Sequence, residues 1–344
     1  MMAPAGFLLL LLVLTGPGSS RAEPESVPQR ENPSSSDGSP AAERIGAAHP
    51  VTAVEAEMRN VAFHLDSGIV LHITRLRGQL LPARPADPPA LDDKQSFILS
   101  LQSAQIAIDT ASLGTLLNHK VFAYPGSPLK DLRISTDGDQ LIQQGVMGTG
   151  AGIRFTMRAT VAVTPDGQIR LHPTAVKVIG IKVNGLMKFF GVQLEQMMKL
   201  KPGSGARIEG DDIILDPTGI LPSPTIRGRL TGIKVEEGHV VETFGPADSL
   251  AATPLRPLDR SVPNYVYFRH GTLRFGRLTM SDADLEIDDN DPGNPFEFSL
   301  DHYNDQLVAG YATTTMDQGL IVHMPDLETL RPMVAAARPG NVAP

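Results

Sequence analysis

The chain has 344 residues and a formal net charge of −8. That acidity, with no compensating Lys/Arg run, argues against a nucleic-acid binder, which presents a basic face. Cysteine is absent, which excludes disulfides, thiolate metal sites and a lipid-modified cysteine. Aromatic residues make up only 5% and tryptophan is absent, so any core is built mainly from aliphatic side chains and Met.

In chain order, the first element is a secretory pattern. Phe7 to Leu14 form an apolar run, Gly16-Pro17-Gly18 break it, and Ser20-Arg21-Ala22 offer small residues for cleavage after Ala22. The run is far short of the ~20 residues that span a bilayer. Its leading MMAPAG carries no Lys or Arg, so an uncleaved anchor or a misassigned start stays as the alternative to export. Residues 23–50 are rich in Pro, Ser, Glu and Ala without periodicity and read as a disordered linker.

From residue 51 the pattern is dominated by strands. Val61-Phe63-Leu65 and Ile69-Leu71-Ile73 alternate around a turn at Asp66-Ser67-Gly68, and Phe97-Leu99-Leu101 with Ile106-Ile108 continue. Asp109-Thr110 caps a short helix carrying Leu113, Leu116 and Leu117. Strands resume at Leu132-Ile134 and at Phe155 through Val163. Thr164-Pro165-Asp166-Gly167 is a hairpin turn into Ile169-Leu171.

Residues 184–200, NGLMKFFGVQLEQMMKL, predict a helix with an unusual apolar face. Leu186, Phe189, Phe190, Leu194, Met197, Met198 and Leu200 share one side, and Met187 widens it. The arc covers about half the circumference, against the ~100° stripe of an ordinary surface helix. Either protein covers it or an apolar ligand does. Met is adaptable and suits surfaces that receive variable ligands.

Beyond it, residues 213–241 read as further strands interrupted by the proline-rich 216–224, whose three prolines forbid a central strand. Arg227 and Arg229 project to one face of the strand that follows and read as solvated cations, with contact to lipid phosphates as the alternative. Residues 245–263 read as a connector and 264–328 as an additional β-rich block, with strands that include Leu307-Ala309-Tyr311, followed by a tail over 329–344. This block is expected to dock on the first or extend its sheet.

Catalytic patterns are missing: there is no G-x-S-x-G, H-E-x-x-H or G-x-x-x-x-G-K-[ST]. Gly148, Gly150 and Gly152 run into a strand and read as a hairpin, not a dinucleotide loop. His64 and His72 are neighbours across the first hairpin but form a weak metal pair. The acids Asp282, Asp284, Glu286 and Asp288 alternate with apolar residues, the grammar of a strand with one solvated face, and are set above a calcium site.

The succession of hairpins, Ile179-Gly-Ile-Lys-Val183, the amphipathic helix, Ile213-Ile-Leu-Asp-Pro217 and Leu221-Pro-Ser-Pro-Thr-Ile-Arg-Gly-Arg-Leu230 resembles the LmeA-like phospholipid-binding proteins, of tubular lipid-binding (TULIP-like) architecture. The resemblance covers roughly residues 61–244. It implies an α+β fold, a strongly curved antiparallel sheet wrapped around an amphipathic helix, and a non-catalytic protein in the periplasm of a cell envelope. It also implies phospholipid or another acyl lipid as partner, with transient membrane-surface contact, no cofactor and no metal. The site residues expected on it are Leu186, Met187, Phe189, Phe190, Leu194, Met197 and Met198. The alternative is a structural or interaction protein of the envelope with no small ligand.

Overall fold

Three long antiparallel strands frame the molecule: β1 (Val54–Asp66), β2 (Ile69–Pro82) and β3 (Phe97–Asp109). The computed structural model describes residues 52–127, 129–148, 152–178, 205–246, 249, 253–256 and 262–330. The alternation read in the first hairpin is the buried set. Val61, Phe63, Leu65, Ile69, Leu71 and Ile73 are each at most 2% exposed, and side chains of this kind contribute roughly 1.5–3 kcal/mol apiece on burial. Register shifts at His64/Asp66, Ile73/Arg75 and Arg77/Gly78 mark bulges that bend these strands.

After β3, Asp109 caps α1 (Thr110–Leu116) by accepting from the Ser112 amide at 2.6 Å. The helix runs on as one wider turn over Leu117–Val121. A six-stranded antiparallel sheet follows in the order β4-β5-β6-β7-β9-β8, formed by β4 (Leu129–Asp137), β5 (Gln140–Met147), β6 (Ile153–Val163), β7 (Ile169–Val178), β8 (Ala206–Glu209) and β9 (Asp212–Leu215).

The chain then returns to the first sheet with β10 (Thr225–Arg227), β11 (Leu230–Glu236) and β12 (His239–Phe244). Next come β13 (Tyr265–Arg269), the small hairpin β14 (Leu273–Phe275) and β15 (Leu278–Met280), β16 (Asp284–Asp289) and β17 (Phe296–Ser299). The helix α2 (Tyr303–Ala309), β18 (Tyr311–Thr314) and β19 (Leu320–Met324) complete it. The path is β11-β12-β3-β2-β1-β13-β16-β19-β18.

Two long strands divide an edge between two partners. Residues 55–59 of β1 pair antiparallel with β13, and residues 61–64 pair parallel with β17. Asn60 marks the change, with φ +50 and its amide donating to Asn264 Oδ1 at 2.6 Å; Asn tolerates the left-handed region better than most residues. On β3, β10 takes residues 98–100 in parallel and β12 takes residues 104–109 antiparallel. β16 and β19 are also parallel. The large sheet is therefore mixed and not the purely antiparallel one expected. The expected sheet-rich architecture is present, while the helix over 184–200 lies outside the described residues.

The C-terminal strands extend the first sheet through β13, and Phe298 stacks on Phe63 of β1 with ring centroids 6.0 Å apart. Two readings here need correction. Leu307 and Ala309 lie in α2, not in a strand, because Tyr303 and Gln306 point inward at helical spacing. The Gln306 side chain accepts from the Ser299 amide at 2.9 Å and donates to the carbonyls of Glu297 and Pro325 at 2.7 and 3.0 Å. The acidic side of β16 is not solvated either: Glu286, Asp288 and Asp289 are all buried. Arg256 reaches Glu286 at 3.0 Å, and Asn264 donates to Asp289 at 2.9 Å. Each acid of this stretch has its own partner, and among the described residues no group of His, Asp or Glu is arranged to hold a metal.

Candidate functional site

The end of the first sheet, α1 and the second sheet converge on an apolar cavity of about 70 Å³. The first sheet supplies Ile108, Ile233, Val240 and Glu242, and α1 with its wider turn supplies Leu113, Leu116 and Leu117. The second sheet supplies Ile134, Leu141, Gln143, Met157, Ala159, Val161, Ile169, Leu171 and Leu215, and the crossing segment closes one side with Pro217, Ile220 and Leu221. The wall residues of β6 recur every second position, as a strand with one inward face requires. Native interiors leave few voids larger than a water molecule, and those that stay empty are apolar.

Glu242 is the one ionisable group in this lining among the described residues. Its strand places Val240, Glu242 and Phe244 inward in alternation, so a carboxyl occupies a position where the pattern calls for an aliphatic side chain. Ile106 and Ile233 are its cross-strand neighbours. The residue is 6% exposed, and burial pushes its carboxyl up to about 8. At neutral pH it is therefore a protonated acid, able to donate one hydrogen bond and accept others.

A larger concavity of about 860 Å³ lies around the β4 edge of the second sheet. Its lining takes Phe122, Leu129, Leu132 and Phe155 together with Lys130, Arg133, Gln144, Arg154 and Thr156. A bulge shapes it. Lys130 pairs with Val146 and Arg133 with Gln144, so two residues of β4 face the single Gly145, and Asp131 adopts φ +54. Asn118 compensates for the interrupted ladder: it donates to the Leu132 carbonyl at 2.8 Å and accepts from the Leu132 amide at 2.9 Å. Gly145 leaves room here: a Cβ would stand 2.6 Å from Leu132 Cδ2 and 3.0 Å from the Lys130 carbonyl oxygen, so Leu132 would have to shift to accept one.

The residues expected to contact lipid, Leu186, Met187, Phe189, Phe190, Leu194, Met197 and Met198, lie outside the described residues. Leu113, Leu116 and Leu117, read as the apolar side of a capped helix, do line the cavity. His64 and His72 do not form a metal pair: His64 hydrogen-bonds Glu297, and His72 stands 3.4 Å from Asp109. Arg227 and Arg229 are both exposed, as expected, and Arg229 donates to the Pro165 carbonyl. The sequence reading missed Glu242 and the bulge. The alternation Val240-x-Glu242-x-Phe244 was the signal for the first. No family model matches this chain, and no match was found among curated proteins or solved structures.

Proposed function

We propose that the chain is an exported, non-catalytic envelope protein that binds an acyl lipid, phospholipid foremost, in the apolar space between its two sheets. The observation that carries this reading is the cavity itself, whose walls among the described residues are almost wholly aliphatic, with one carboxyl, that of Glu242. The apolar segment 186–200 supports it from the sequence, as the helix that the sheet would wrap and whose broad face would complete the chain's surroundings. The N-terminal pattern supports export.

A cavity of about 70 Å³ is well below the ~300–1,000 Å³ of drug-sized ligand pockets. A whole acyl chain therefore enters only as the two sheets, or the 216–221 crossing, move apart. That small volume also favours the second reading, an interaction protein of the envelope with no small ligand. Native mass spectrometry of protein purified without detergent separates the two. Stoichiometric co-purifying lipid is expected; lipid-free protein that also fails to take up a fluorescent fatty acid would overturn the lipid reading. Ala159→Leu, which fills the cavity from a wall position 1% exposed, is expected to cut uptake while the protein stays folded. Unchanged uptake would place the ligand elsewhere.

A further inference from the structure

We propose that the concavity at the β4 edge is a binding site for a phosphate group, held by Lys130, Arg133 and Arg154. The inference deepens the lipid reading by naming the chemistry of the head group, and it rests on that reading only for the apolar part of the ligand.

The bulge is what assembles the cations. In a regular strand, residues three apart point to opposite faces. The extra residue between Lys130 and Arg133 returns both to one face, in rows with their neighbours: Lys130-Val146-Arg154 and Arg133-Gln144-Thr156. Lys130 and Arg154 stand two strand spacings apart, about 10 Å, within reach of one bound group by their long side chains. Asn118 and Gly145 hold this geometry before any ligand arrives.

Charge points the same way. The chain is acidic overall, yet none of these three cations has an ion-pair partner among the described residues. Elsewhere on the same sheet Arg158 pairs with Asp137 at 2.6 Å and Arg207 with Glu209 at 2.7 Å. Asp131, on the bulge, is the single acid in the lining among the described residues. Two arginine forks and a lysine exceed what one carboxylate accepts and suit the several oxygens of a phosphate. The Thr156 hydroxyl and Gln144 amide add neutral donors between them. Leu129, Leu132 and Phe155 are buried on the other face of these strands, so Lys130, Arg133, Arg154, Gln144 and Thr156 form the face open to a ligand.

The test compares dioctanoyl phosphatidic acid, dioctanoylglycerol and inorganic phosphate on the wild type, on the double variant Arg133→Gln/Arg154→Gln, and on Arg84→Gln. Arg84 lies in an exposed loop, paired with Asp87, and serves as the charge control. Circular dichroism checks folding; the substituted side chains are exposed. The wild type and the control are expected to prefer the phosphatidic acid over the glycerolipid by about tenfold or more, falling with salt, and the double variant to lose that preference. That result supports the site with a lipid head group as source. Binding of inorganic phosphate with neither lipid taken up supports the site with soluble phosphate as source and removes the lipid reading. Equal binding of both lipids by wild type and variant, with no response to inorganic phosphate, overturns the phosphate site and leaves the lipid reading standing.

Discussion

At the scale of single residues, Glu242 is the point where local pattern and environment conflict. Burial raises its carboxyl from 4.5 in the unfolded chain to about 8, so between these values the folded state binds more protons than the unfolded one. Its effect on stability is thus absent at low pH, and stability is lost as pH rises toward 8. Asp289, pushed up to about 6 by burial, acts with the same sign at lower pH. Comparing Glu242→Gln with wild type between about pH 6 and pH 8 cancels the titrations that the two proteins share, those of the histidines among them. Glu242→Gln is expected to stabilise the protein relative to wild type across that interval, by an amount that grows by roughly 2 kcal/mol from pH 6 to pH 8. Urea unfolding at several pH values measures the difference, and parallel pH profiles for the two proteins would refute it. The inward position of Glu242 was legible from the alternation of β12. Its lack of a compensating cation was not, because that depends on Ile106 from a distant strand and on α1.

At the scale of elements, hairpins and caps were legible because their chemistry is local. Asp109 caps α1 as read, and the turns at residues 66–68 and 164–167 both connect paired strands. The β4 bulge and α2 were not legible, since both depend on partners elsewhere: Asn118 for the bulge, and the carbonyls of Glu297 and Pro325 for Gln306. Asn118→Ala leaves the amide and carbonyl of Leu132 without their side-chain partner, and Leu132 is 3% exposed. A loss of about 1–3 kcal/mol is expected, together with faster hydrogen exchange at Leu132. A melting temperature and exchange rate equal to wild type would show that the bulge holds without its clamp.

At the scale of the whole molecule, β1 depends on strands that lie some 200 residues further along the chain. β13 and β17 share its edge, and Phe298 covers Phe63. A chain truncated after Phe244 would present that edge and that aromatic face to water. It is expected to lose cooperative unfolding and to bind a hydrophobic dye; a sharp thermal transition in the truncated chain would show that residues 54–244 fold independently. The sequence by itself determined where strands alternate, where they turn, where α1 begins, and that cysteine chemistry is excluded. These follow from side-chain period and turn preference, which act over a few residues. Only the tertiary structure decided which strands share an edge, that Glu286, Asp288 and Asp289 are buried, and that Glu242 joins an apolar cavity while Lys130, Arg133 and Arg154 gather at the β4 edge. Strand pairing and desolvation are set by residues far apart in sequence, as with His64 and Glu297, 233 positions apart, and no local pattern records them.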